Sequence, residues 1–271
     1  MRTAVISDIH IDINEEYDVI AGIAEYVRKN AVELLLIAGD ITSNPEKTIE
    51  AVQKLESLCK VKVLYVPGNH DMWNQDLSYE SNDKIYEMFL EDEHCLSGKV
   101  YETDNHVIIG DIAWYDYSFG NQERFDKQDF EKMTYEGRTW QDSLFNTWSR
   151  NNEVRCEWFC QQLDKRIRES KPKKKKIVLM THMISHKAFA VPEDINPIWS
   201  YFNAFLGSRK LTELCVENGV QYSICGHVHY RNTFTENQVT WMCRCLNYHT
   251  EWLGDKDVRK QIEDAMEIIE L

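Results

Sequence analysis

Short apolar runs and amphipathic stretches alternate through the first third of the chain. Residues 3–7 (TAVIS) and 33–39 (ELLLIAG) are apolar runs too short for helices, as is 61–66 (VKVLYV), and they read as buried strands. Between them, residues 16–29 carry Val19, Ile20, Ile23, Ala24 and Val27 at helical spacing. Residues 43–58 form a second helical pattern, with Asn44 placed to cap it and Pro45 suited to its first position. This β-α-β-α-β order predicts a largely parallel sheet covered by helices.

Further on, residues 79–92 read as a helix and 106–115 (HVIIGDIAWY) as a strand. From 114 to 159 the pattern dissolves into a segment dense in aromatic and charged residues, which reads as an insertion. A helix is expected over 151–169, then the strand 177–182 (IVLMTH). Helical segments follow over 196–219, with Gly219 as their stop, and strands joined by turns over 220–247. The tail, 255–271, places Val258, Ile262, Met266 and Ile269 on one side of a C-terminal helix. No repeat, low-complexity stretch or linker interrupts the chain, so residues 1–271 are expected to form one domain.

Composition narrows the classes of function. A length of 271 residues with 43% hydrophobic and 28% charged residues suits a globular chain with a sizeable core. A net charge of −14 repels long polyanions, which argues against general nucleic-acid binding. The one basic run, 171–176 (KPKKKK), reads as a solvated loop. No apolar run is long enough to cross a membrane, and the N-terminus lacks the layout of a signal peptide, so a cytoplasmic location is expected. The eight cysteines are scattered without a C-x-x-C pair and are expected to be buried free thiols; Cys243 and Cys245 alone are too few for a zinc site.

The strand ends carry the chemistry. Apolar runs lead directly into Asp8 and His10 (ISDIH), Asp40 (IAGD), Asn69, His70 and Asp71 (VPGNHD), His182 (LMTH), and His227 and His229 (ICGHVH). Taken singly, each has a plain explanation: a packed histidine, a turn-capping aspartate, a polar strand position. Taken together, five separate strand ends share one property. Ligands bind at the carboxyl ends of strands in open α/β sheets, so these segments are delivered to one rim. Asp, Asn and several His suit Mn, Fe or Zn better than Ca. Asp8, His10, Asp40, Asn69, His182, His227 and His229 are too many for one ion; shared between two, with one carboxylate bridging, they give about four protein contacts each.

The ordered blocks D-x-H, G-D, G-N-H-D, H and G-H-x-H, running from Asp8 to His229, resemble the calcineurin-like metallophosphoesterase superfamily. The resemblance implies a four-layer α/β/β/α fold, two stacked sheets flanked by helices. It also implies two divalent metal ions: Asp8, His10 and His229 on the first, Asn69, His182 and His227 on the second, and Asp40 bridging. His70 would then be the general acid, with Asp71 orienting its ring, and a metal-activated hydroxide would attack a small phosphoester substrate.

Departures within the blocks discriminate among relatives. Protein serine/threonine phosphatases and diadenosine tetraphosphate hydrolases extend the second block to G-D-x-x-D-R-G, where this chain has GDITSNP. Purple acid phosphatases place a Tyr where Ser43 stands, and lipid A precursor pyrophosphatases an Arg in place of His70. The pattern is most similar to bacterial class III cyclic nucleotide phosphodiesterases, which implies phosphodiester hydrolysis. A phosphomonoesterase and a non-catalytic metal-binding scaffold are the alternatives, and a nuclease is disfavoured by charge. The aromatic segment, with Trp73 and residues 199–202 (WSYF), reads either as a substrate wall or as core. Arg124, Arg138 and Arg150 are candidate phosphate contacts, and His186 is either a support for His182 or a surface residue.

Overall fold

The alternating apolar and amphipathic segments build the expected parallel unit in the computed structural model, which describes residues 1–271. Strand β1 (Arg2–Ile6) leads to helix α1 (Val19–Lys29), β2 (Leu34–Ala38) to α2 (Pro45–Cys59), and β3 (Lys62–Val66) to α3 (Asn82–Glu91). Asn44 caps α2, accepting the Lys47 N–H at 2.9 Å, and Pro45 opens the helix where its missing N–H is no loss. Strands β4 (Val100–Glu102) and β5 (His106–Asp111) follow as an antiparallel pair.

The aromatic segment contains α4 (Lys127–Glu131), the small hairpin β6 (Thr134–Tyr135) and β7 (Arg138–Thr139), and α5 (Asp142–Phe145), before the long helix α6 (Asn152–Ser170). The chain continues through β8 (Lys176–Thr181), α7 (Trp199–Phe202), α8 (Arg209–Asn218), β9 (Val220–Cys225), β10 (Arg231–Glu236) and β11 (Val239–Arg244). It ends with α9 (Val258–Ala265) and β12 (Glu267–Glu270). Gly219 stops α8 at φ 63°, a left-handed conformation that favours glycine.

Two sheets face each other. The first has the order β12-β1-β2-β3, and the second β10-β11-β9-β8-β5-β4. Alternate residues meet between them: Val5, Leu36 and Leu64 from one side pack with Ile108, Val178 and Ile224 from the other. The opposite faces of the same strands lie under α1, α2 and α9 on one side and α6 and α8 on the other. Strands buried on both faces need no polar alternation, which explains their continuous apolar runs. The arrangement is the four-layer α/β/β/α fold that the family resemblance implies.

Two expectations need correction or division. The tail is not one helix over 255–271: it breaks after Ala265, and β12 pairs antiparallel with β1, Arg2 opposite Glu270. Ile269 and Leu271 alternate into the layer between the sheets, and β12 satisfies the open edge of β1, which outweighs the helical spacing of Met266 and Ile269. The aromatic segment divides between core and surface cavity. Trp114, Tyr115, Phe119, Phe130 and Phe159 are fully buried core, whereas Trp140 lines a cavity over the sheet ends. The lysine-rich run forms a surface turn in which Lys173 and Lys175 pair with Glu102. All eight cysteines are buried and free.

Candidate metal centre

The carboxyl ends of β1, β2, β3, β8 and β9 converge, bringing the strand-end residues together. Three clusters of metal-ligating atoms result, each within 4.8 Å: Asp8 with His10 and His229; His10 with Asp40 and His70; Asp40 with His182 and His227. Asp40 is common to two of them. Its Oδ2 lies 3.7 Å from His10 Nε2 and its Oδ1 3.4 Å from His182 Nε2. Asn69 joins the second side, with Oδ1 2.9 Å from His182 Nε2.

The backbone is bent to achieve this. Asp8, His10, Asp40, His227 and His229 all adopt positive φ, between 38° and 74°. Such conformations cost on the order of 1–3 kcal/mol each in non-glycine residues and persist where surrounding structure enforces them. Close backbone approach does the enforcing. The Asp8 carboxylate accepts the His227 N–H at 2.9 Å, and Asp40 Oδ1 accepts the His70 N–H at 2.9 Å. A methyl group at Gly68 would stand 2.0 Å from Asp40 Oδ1 and 2.4 Å from its backbone nitrogen. Gly68→Ala is therefore expected to displace Asp40 and weaken Mn²⁺ binding by tenfold or more, read by calorimetric titration; wild-type affinity would contradict this close-packing account.

Hydrogen bonds fix which ring nitrogens face the centre. His182 Nδ1 donates to the Ala38 carbonyl at 2.9 Å, leaving Nε2 towards Asn69 Oδ1. The Asn69 amide cannot turn to offer its own donor there, because its Nδ2 donates to Asp142 at 2.9 Å. Two acceptors thus face each other unless His182 carries a second proton or a cation lies between them. The arrangement favours the positive charge. Burial alone would lower the His182 pKa, but the charge of Asp40 and their hydrogen bond push it up to about 10. On the other side His229 Nδ1 lies 2.6 Å from the Glu251 carboxylate, which leaves its Nε2 3.3 Å from His10 Nε2. His227 Nε2 faces the Phe205 carbonyl at 3.2 Å, freeing Nδ1.

The remaining titrations follow from crowding. Burial, with neighbouring histidines, holds His10 well below the ordinary imidazole range, and burial and His182 lower His227 to about 3. Both therefore offer unprotonated nitrogens. Asp40 is pulled the opposite way: burial would raise it, but the charges of His182 and His70 hold it well below the usual carboxylate range. Inward-facing lone pairs on imidazole, amide and carboxylate form a donor set that fits divalent ions such as Mn, Fe or Zn.

His70 stands at the edge of this set. Its ring stacks on Trp73 with centroids 3.6 Å apart and planes at 28°, its Nε2 lies 3.9 Å from Asp40, and its Nδ1 has Ser43 Oγ at 3.4 Å. Asp71 does not reach the ring. Its fully buried carboxylate accepts from the N–H groups of Ile41 (3.0 Å), Thr42 (2.9 Å) and Gly68 (2.8 Å) and from the Thr48 hydroxyl (2.6 Å). Adjacent side chains in this tight turn point apart, and Asp71 ties the Asp40 loop to the Gly68 loop. Burial and the charge of Asp40 push its pKa up to about 7, against the pull of those donors.

A cavity of about 960 Å³ opens over the cluster. Trp73 and Arg138 line it, whereas Arg124 does not: it donates to Ser200 Oγ at 3.1 Å and lies over Phe125. Arg150 and His186 are also outside, His186 pairing with Glu236 at 3.0 Å. Two apolar walls flank the centre. Trp140, Trp199 and Phe202 stand on the side of His227; Tyr248 and Trp252 stand on the side of His229, the Tyr248 ring 4.5 Å from that of His229. Asp142, Tyr248 and Glu251 are invisible to a reading by motif. They come from segments with no spacing signal, and only the fold brings them to the rim.

The family model described as calcineurin-like phosphoesterase matches residues 1–231. An uncharacterised protein of Acanthamoeba polyphaga mimivirus is 21% identical over 234 residues, covering 82% of this chain and 81% of its own. Among solved structures, the phosphopantetheinyl hydrolase of Mycobacterium tuberculosis superposes with a TM-score of 0.71 at 17% identity, over 98% of this chain and 95% of that one. A dimetal phosphatase from Danio rerio gives a TM-score of 0.55 at 15% identity, over 90% and 86% of the two chains.

Proposed function

The chain belongs to the calcineurin-like phosphoesterase family, and from that membership we propose that it hydrolyses small phosphodiesters with two divalent ions. The observation that carries the reading is the position of Asp40, common to a cluster with His10 and His70 and a cluster with His182 and His227. In this reading Asp8, His10 and His229 would hold one ion and Asn69, His182 and His227 the other, Asp40 would serve both, and His70 would remain free for proton transfer. Bound there, the ions supply an activated water at neutral pH and positive charge for the phosphoryl oxygens.

The chain's own groups do the rest. His70, outside both ligand sets, donates a proton to the leaving oxygen, its ring held against Trp73 with Ser43 Oγ near Nδ1. Arg138, exposed on the β6–β7 hairpin at the cavity wall, meets the anionic substrate. The two apolar walls support a diester over a monoester. A phosphodiester carries an organic arm on each side of phosphorus, and each half of the histidine cluster has an aromatic surface beside it. Cyclic nucleotides and phosphopantetheinyl esters are diesters within this class, the first suggested by the likeness in motif pattern and the second by the likeness in fold to the phosphopantetheinyl hydrolase of Mycobacterium tuberculosis.

The test compares bis-p-nitrophenyl phosphate with p-nitrophenyl phosphate, with added Mn²⁺ and after chelation. We expect the diester to turn over at least tenfold faster and both activities to vanish with chelator. Faster monoester cleavage would replace the diester reading with a phosphomonoesterase. Turnover of neither, in protein holding two Mn²⁺ ions, would leave a binding role.

A further inference from the structure

The aromatic insertion carries a carboxylate aimed at the centre. Asp142, the first residue of α5, is 2% exposed. Its Oδ1 accepts from Asn69 Nδ2 and from Trp73 Nε1, both at 2.9 Å. Its Oδ2 accepts from Trp140 Nε1 at 2.9 Å and the Tyr115 hydroxyl at 3.3 Å. All four donors are uncharged, so the carboxylate serves as a fixed acceptor hub rather than as half of an ion pair.

We propose that Asp142 is a positioning residue for two parts of the reaction at once: it turns the Asn69 amide so that Oδ1 faces His182, and it pins the indole on which His70 stacks. The inference rests on the two-ion reading above. An asparagine amide has two faces of opposite character, and only one suits a metal. With Nδ2 committed to Asp142, the oxygen points to the centre; a flipped amide would set its oxygen against the Asp142 carboxylate.

The second branch follows from what His70 lacks. No carboxylate hydrogen-bonds its ring: Asp71 is turned into the protein, Asp40 Oδ2 stands 3.9 Å from Nε2, and the Ser43 contact at Nδ1 is long. The face of Trp73 is its closest support, and the indole has a single N–H with which to be held. Both branches meet at one oxygen, Oδ1. Asparagine at 142 could keep its oxygen at the Oδ1 position and hold both branches, whereas alanine removes that acceptor and frees both at once.

The experiment uses the full chain with Asp142→Ala, checked for folding by circular dichroism. Mn²⁺ titration calorimetry is expected to show one of two equivalents weakened 10- to 100-fold and the other unchanged. A series of aryl phosphodiesters with increasingly poor leaving groups is expected to lose at least tenfold more kcat than the p-nitrophenyl ester does. Wild-type affinity at both sites together with wild-type leaving-group dependence would overturn the proposal. If Asp142→Ala does not fold, Trp73→Phe carries the test, because it keeps an aromatic ring against His70 and removes the N–H that Asp142 holds. It is expected to hold both ions and lose rate selectively with poor leaving groups, and an unchanged dependence would overturn the proposal. Wild-type protein that binds two Mn²⁺ but cleaves nothing would refute the hydrolase reading alone, since the titration of Asp142→Ala still decides the Asn69 branch.

Discussion

Asp40→Asn is expected to lower phosphodiester hydrolysis at least a thousandfold and to reduce bound metal from two ions per chain to one or none. The substitution preserves shape: the side-chain oxygen that accepts the His70 N–H remains available, so the loop is expected to keep its path. What disappears is charge at the point common to two clusters. Unit charges 4 Å apart interact by about 4 kcal/mol at an effective dielectric of 20, and two divalent ions at that separation repel about four times as strongly. Asp8 and Asp40 are the carboxylates within the clusters, so losing one removes half of the local compensation. A thousandfold effect corresponds to about 4 kcal/mol in the barrier, well within that electrostatic scale. Elemental analysis after gel filtration, paired with bis-p-nitrophenyl phosphate turnover, measures both quantities. Full activity with two ions retained would sink the two-ion assignment.

The rim was legible in the sequence because each block is local. Asp8 and His10, or His227 and His229, stand at the end of an apolar run, and the parallel β-α-β rule carries such ends to one edge without knowledge of any long-range contact. The helix-covered parallel sheet was legible for the same reason, since strands buried on both faces write unbroken apolar runs, whereas the second sheet stacked on it came from the family resemblance. Contacts between distant segments were not. Asp142, Tyr248 and Glu251 acquire meaning only when the insertion and the loop after β11 fold over the sheet ends. The role that the resemblance implies for Asp71 fails on local geometry: at this turn its side chain and that of His70 diverge, and four donors elsewhere claim its carboxylate. Val258, Ile262, Met266 and Ile269 continue a helical spacing that ends in fact at Ala265, because the open edge of β1 captures the last residues.

Asp71→Ala is expected to destabilise the fold by about 3–5 kcal/mol, because it strands the buried N–H groups of Ile41, Thr42 and Gly68 and leaves the Thr48 hydroxyl with Thr42 alone. The N–H groups of Ile41, Thr42 and Gly68 and the Thr48 hydroxyl converge on this one carboxylate, and none has room to turn towards water. At about 2–4 °C per kcal/mol for chains near this size, the melting midpoint should fall by roughly 6–20 °C. Asp71→Asn should cost less, about 1–3 kcal/mol, since its amide oxygen still accepts while its NH₂ group opposes one donor. Thermal unfolding of metal-free protein gives the number without interference from bound ions. The same pair of variants distinguishes a tie between loops from a support for His70. A tie predicts a large fall in midpoint, with leaving-group dependence unchanged in whatever fraction remains folded at low temperature. A support predicts the reverse: a nearly native midpoint for Asp71→Asn, and a rate loss concentrated on substrates that need their leaving oxygen protonated. The 2.6 Å bond from Thr48 makes the first outcome the expected one, because that hydroxyl couples the loop to the first turn of helix α2.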